Sequence, residues 1–319
     1  MERARVEWVD VAKGIAILLV VYGHVILGLN DATLWDTPNY HFQYSVVYGF
    51  HMPLFFLLSG LFINNWVNRP FKQAISQKAY RLLIPYVVWS LIQGSVMILL
   101  SGSTNSHNGW GLLAQIPTTP FSQFWYLYDL FVLFIVYYGL RRGIKLSDKW
   151  ILLLALIIAP FAPYMALWQL FRIGYYLFFF VLGMFVWQHK AMLSKIPLSM
   201  ATLGFIGVNV LYFHIRLPQF PRSVVGILVA LVGIVFVLAL SNKLHSKWLA
   251  LIGRLSLPIY LMHILATAGT RILLMKLGMI NVELQLLSGM LAGVLLPLLA
   301  YWLWQRVTIV WHNRRIVEH

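Results

Sequence analysis

Long apolar runs alternate along the chain with short breaks rich in charge, proline or glycine. Ten runs stand out, near 9–29, 46–66, 82–101, 122–140, 150–168, 171–188, 196–214, 223–241, 249–275 and 284–310. Each reaches the roughly 18 residues that a helix needs to cross about 30 Å of hydrocarbon. The runs are continuously apolar rather than alternating every second residue, so they predict helices and not barrel strands. The expected fold class is all-α: a polytopic transmembrane bundle of about ten spans, forming one transmembrane domain over 1–319 with no separate soluble domain. No internal repeat is visible.

Composition agrees with this pattern. Of 319 residues, 61% are hydrophobic and 10% charged, where a soluble domain carries about 25% charged residues. The chain lacks the polar side chains to cover a water-facing surface. It has no cysteine, so disulfides, thiolate catalysis and thiolate-bound zinc are excluded. Acidic Glu2, Glu7 and Asp10 stand at the start of the chain, and no small-residue cleavage site follows its long first run. That start is expected to stay as a span and not to be removed as a signal peptide.

The net charge of +15 would point to nucleic acid in a soluble protein, but its distribution explains it more simply. With the amino terminus inside, 19 of the 24 basic residues fall on inner loops and helix ends. Only Arg172, Arg216, Arg222, Arg271 and Lys276 lie outside. Such an asymmetry is what positive-inside insertion requires, and it puts both termini on the cytoplasmic side. The charges set topology, and no nucleic-acid partner is expected. The first outer loop, 30–45, carries Asp31 and Asp36 but no cation, and the second, 103–121, has no charge.

An ionisable group inside a span costs roughly 2.5–3.5 kcal/mol on insertion scales, so it needs a partner, a cavity or a task. Lys13, His24, His51, Asp129, Arg254 and His263 are such groups. Lys13 and His24 are eleven residues apart, which places them on one helical face about 16 Å apart along the axis. Asp10 shares that face. Lys13 reads either as a snorkelling interfacial lysine or as a cytoplasmic cation site. His24 reads either as a hydrogen-bonded packing residue or as a base. Counted from the span boundaries, His24, His51, Asp129 and His263 reach a similar depth, which is consistent with one polar cavity. No histidine pair has a short ligand spacing on one helix, so no metal is expected. Ser59-Gly60 has no nucleophile-elbow pattern, and close helix packing is the simpler explanation for small residues there.

The residues also carry a resemblance. Asp10-x-x-Lys13-Gly14-Ile15-Ala16 followed by His24 resembles the opening of the acyltransferase family 3 membrane proteins, in which a basic residue, ten intervening residues and a histidine form the signature. The similarity continues through Phe50-His51-Met52-Pro53-Leu54-Phe55-Phe56 and Leu58-Ser59-Gly60-Leu61-Phe62. It extends to Lys78-x-x-Arg81-x-x-x-Pro85, Phe124-Trp125-Tyr126-Leu127 and Ser256-x-x-Ile259-Tyr260-Leu261-x-His263. Lys13 and Lys78 stand where the family commonly has arginine, and a lysine meets a phosphate as a point charge rather than as a fork of donors.

The resemblance implies a multi-pass protein of the bacterial inner membrane that transfers an acyl group, usually acetyl from acetyl-CoA, to a hydroxyl of a sugar or glycolipid. On that reading Lys13, Lys78 and Arg81, with Ser59, bind the coenzyme A thioester. His24 is the general base, Asp129 or His51 orients it or holds the acceptor, and Asp10, Tyr260 and His263 complete the cavity. Imidazole, with an unperturbed pKa near 6.5, suits removal of a hydroxyl proton. Without cysteine, direct transfer is favoured over a thioester intermediate, with a Ser or His acyl intermediate the alternative. A proton-coupled transporter or lipid-sugar flippase is the alternative, because buried His and Asp serve proton relays equally well. A membrane scaffold explains the spans but not the buried ionisable groups.

Overall fold

A computed structural model describes residues 6–100, 110–165 and 168–317. Arg3, Arg5 and the tip of the second outer loop, 103–109, lie outside them, as do residues 166–167 of the fifth run. Among the described residues the backbone is helical, with no strand. The helices are α1 (Glu7–Asp31), α2 (Pro38–Gly60), α3 (Ile63–Val67), α4 (Phe71–Lys78), α5 (Ile84–Leu99), α6 (Gly111–Ala114), α7 (Trp125–Tyr138), α8 (Asp148–Ile158), α9 (Trp168–Gln188), α10 (Leu198–His214), α11 (Gln219–Lys243), α12 (Lys247–Arg254), α13 (Ser256–Lys276) and α14 (Val282–Val317).

Among the described residues each of the ten runs is largely helical, and seven segments are both long and apolar enough to cross a membrane. These are Glu7–Asp31, Phe71–Leu99, Ser122–Gly143, Leu170–Gln188, Gln219–Lys243, Ser256–Lys276 and Val282–Val307. The other three runs fall short for local reasons. α2 starts among Asn39, His41 and Gln43, α8 gives way after 11 residues to a tighter turn holding Pro160 and Pro163, and α10 has 17 residues. Many outward side chains of α5, α8, α10 and α14 are large and apolar, among them Leu91, Leu153, Leu203 and Leu295, which suits a lipid surround. The chain is a multi-pass membrane protein.

Two prolines shape the helices that bear on the site. Pro85 has no N–H for the carbonyl of Arg81, and the chain widens into a π-turn over Ala79–Leu83 just before it. Pro258 has none for the carbonyl of Arg254, and there the ninth run divides into α12 and α13 at Leu255.

α1 packs against α2, α11, α12, α13 and α14, so it runs through the interior. Glycines let the backbones meet. A Cβ on Gly14 would strike the Leu249 carbonyl of α12, and one on Gly253 would strike the Asp10 carbonyl of α1. α2 and α9 interlock the same way, Gly60 against the Phe180 carbonyl and Gly183 against the Leu57 carbonyl. With no hydrophobic drive between helices in lipid, such close approach supplies the packing. One continuous set of buried side chains extends from Val9 to Val294.

Candidate active site

His24 projects from α1 into a cavity of about 720 Å³ whose walls include Gln93, Ser122, Gln123, Trp125, Thr267 and Arg271. The floor is a polar lattice. Gln93 and Gln123 donate to each other's amide oxygens at 3.0 and 2.7 Å, and Gln93 also donates to Ser122 Oγ at 3.2 Å. Both glutamines are buried, so this mutual pairing satisfies groups that would otherwise be costly to remove from water. Tyr260 donates its hydroxyl to the Gln123 carbonyl.

His263 lies against His24, with ring centroids 5.1 Å apart. Its Nδ1 is 2.8 Å from the Tyr260 carbonyl and 3.2 Å from that of Ile259. A carbonyl only accepts, so Nδ1 carries the proton and Nε2 bears the lone pair. That Nε2 is buried and has no partner. His51 is held the same way, with Nδ1 2.7 Å from the Val47 carbonyl, and it is an electrostatic neighbour of His24.

Nearer the start of α1 a second cavity, of about 170 Å³, is lined by Lys13, Val20, Ser59, Tyr126, Ser256 and Tyr260. Ser59 and Tyr126 share a hydrogen bond of 2.8 Å, and the rings of Tyr126 and Tyr260 lie 5.7 Å apart. Tyr260 therefore stands between the cavities, one face lining the lower space and its hydroxyl tied to the floor of the upper one. Lys78 lies over the Phe134 ring at 3.5 Å and near Trp66 at 5.8 Å. Its electrostatic neighbours are Arg81, Arg69 and Lys13. Asp10 faces Arg254 at 4.0 Å.

Asp129 stands apart from the residues with which sequence reasoning grouped it. Both its oxygens face Arg172, at 2.5 and 3.4 Å, and it lines neither cavity. Arg172 in turn lies over the Trp125 ring at 5.2 Å. The structure thus gathers His24, His51 and His263 at one level, and Lys13, Lys78 and Arg81 toward the other end of α1. Four residues were not singled out from sequence: Gln93, Gln123, Arg172 and Arg271. Gln93 was the most legible of them, a carboxamide within the apolar run 82–101. Among the described residues, no three His, Cys, Asp or Glu side chains stand together as metal ligands.

Two curated relatives carry the name "Nodulation protein NolL". The protein of Mesorhizobium japonicum is 30% identical over 163 residues, covering 48% of this chain and 40% of that protein. That of Sinorhizobium fredii is 29% identical over 159 residues, covering 48% of this chain and 41% of that protein. The chain thus spans less than half the length of these relatives. No solved structure matches. A family profile described as an acyltransferase domain matches residues 6–302, a stretch that includes α1 with Lys13 and His24 and both cavities, and the chain therefore belongs to acyltransferase family 3.

Proposed function

We propose that this protein moves an acetyl group from cytoplasmic acetyl-CoA to a hydroxyl of a sugar or glycoconjugate, a cell-surface polysaccharide or lipid-linked precursor, in the bacterial inner membrane. The observation that carries the reading is the sequence of features along α1. A cationic end with Lys13, Lys78 and Arg81 leads to one cavity, then past Tyr260 to a second cavity headed by His24. Coenzyme A has matching parts: phosphates at one end, a thioester at the other and a slender arm between. The cations hold the phosphates electrostatically, and the arm follows the inner cavity past Ser59 and Tyr126.

The acceptor occupies the outer cavity with one hydroxyl at His24. As the hydroxyl oxygen attacks the thioester carbonyl carbon, the imidazole takes its proton. The carbon–sulfur bond breaks, and the proton passes from the imidazolium to the departing coenzyme A sulfur. His263 Nε2, an acceptor without a partner, receives the N–H of His24 when that ring turns and leaves the other nitrogen free as the base. His51 borders the same histidine level. Asp129 serves as a positioning residue that holds Arg172 against Trp125, a wall of the outer cavity.

The test is purified protein in nanodiscs with radiolabelled acetyl-CoA and a panel of glycans and lipid-linked sugars. Label should appear on a sugar hydroxyl. Lys13→Ala should weaken coenzyme A binding about tenfold, while Lys13→Arg largely preserves it. Unchanged coenzyme A affinity in the alanine variants of Lys13, Lys78 and Arg81 would sink the donor site.

A further inference from the structure

Arg271 is the group that the acyl-transfer chemistry leaves unused. It stands on α13, two turns beyond His263, and an arginine at that end of an apolar helix would ordinarily snorkel to the water interface. Here it turns inward across α1. A Cβ on Gly28 would collide with its guanidinium, so the glycine is what gives the side chain room. Its Nε is buried and has no hydrogen-bond partner. No carboxylate lies within ion-pair distance among the described residues: Asp31, on the rim of the same cavity, is an electrostatic neighbour but not a contact. A partly buried guanidinium whose Nε is shut off from water and makes no hydrogen bond is costly to maintain, which favours a ligand that completes it.

The surroundings say where such a ligand would sit. Arg271 lines the outer cavity together with His24. It also lines a small adjoining recess with His24, Thr267 and Gln285. Gln285 is fixed by its Nε2 to the Met279 carbonyl at 2.8 Å, and its buried Oε1 is without a partner. Gly28 is four residues from His24, one helical turn and about 6 Å further along the axis. Within one sugar ring of the base, the cavity therefore offers a planar fork of donors suited to two oxygens of one anion.

We propose that the acceptor is acidic, and that Arg271 binds its oxyanion, a carboxylate or phosphate carried close to the hydroxyl that is acylated. This rests on reading the outer cavity as the acceptor site. Asp31 supplies a distant counter-charge when the cavity is empty of acceptor, and it opposes the incoming anion.

Thermal-unfolding titrations of the full-length protein in nanodiscs test the proposal, with methyl glucuronide, glucose 1-phosphate and neutral methyl glucoside as probes. Wild type should bind one or both acidic probes saturably and more tightly than the glucoside; the preferred one identifies a carboxylate or a phosphate. Arg271→Gln should weaken the acidic probe about tenfold or more and leave the glucoside unchanged, with Arg271→Lys in between. Asp31→Asn, which leaves the arginine intact, should tighten the acidic probe about two- to fivefold. Equal affinity for acidic and neutral probes overturns the proposal, as does saturable binding of no anion by wild type or an unchanged affinity in Arg271→Gln. Coenzyme A titrated into the same samples keeps the readings apart. Its binding should survive Arg271→Gln, and its failure to bind wild type would sink the donor reading while leaving the anion result standing.

Discussion

Among the described residues His24 has no hydrogen-bond partner that would fix its tautomer, whereas His51 and His263 each give an Nδ1 proton to a carbonyl of their own helix. That difference separates the three histidines chemically: the carbonyls leave only Nε2 of His51 and His263 as an acceptor, whereas neither ring nitrogen of His24 is committed to the backbone. His24→Gln keeps a hydrogen-bonding group but cannot act as a base, so acyl transfer should fall by about 10²–10⁴-fold with coenzyme A binding nearly intact. In wild type the transfer rate should rise with pH as a histidine loses its proton, because only the neutral ring accepts one. Near-normal turnover in His24→Gln, with the pH profile retained, would move the base to another residue. Residue counting put His24, His51, His263 and Asp129 at one depth, and the structure brings the three histidines together. The partner of Asp129 was not legible, since Arg172 lies 43 residues away and an ion pair between two spans leaves no periodic signal.

Helix geometry converts the motif glycines into positions. Gly14 lies beside Lys13 in sequence, but its contact is the backbone of α12, so the small residue seats α1 while the lysine points into the inner cavity. Gly14→Val would force that backbone away, because a carbonyl cannot retreat as a side-chain tip can. The expected loss is about 2 kcal/mol or more of stability, read as a lower unfolding midpoint, with weaker coenzyme A binding as the inner cavity shifts. An unchanged midpoint would show that α1 and α12 do not meet there. The π-turn before Pro85 is the other such element. Its proline has no N–H for the Arg81 carbonyl, but only the fold shows that the turn carries Arg81 near Lys78 and Lys13.

At the scale of the whole molecule, the number of crossings decides which face each group meets. Among the described residues seven segments are long and apolar enough to cross, and an odd count would separate the termini. Counting α2, α8 and α10 as crossings as well, which we propose, keeps Lys13, Lys78 and Arg81 on one side, in agreement with their proximity. It also sends Arg271 and Asp31 to the other side. Single cysteines at Asn39 and Asn281 should then react with an impermeant thiol reagent from outside, while ones at Gly143 and Ser246 should be protected. The background is clean because the chain has no cysteine of its own. Labelling of Gly143 with protection of Asn39 would reverse the orientation. Labelling at all four positions in intact cells would refute the ten-span count.

The sequence by itself determined that this chain is a helical membrane protein and which apolar runs it offers as helices. Hydropathy and the helical repeat act within a few turns and need no knowledge of neighbours. It also carried the family, because the motif residues keep their order along the chain. Tertiary structure alone decided the company each group keeps: His263 beside His24, Arg172 on Asp129, Gln93 paired with Gln123, and Arg271 folded inward over Gly28. Those relations join helices far apart in sequence. In a bilayer, where any unpaired polar group is expensive, a side chain is satisfied by whichever helix packing brings within reach.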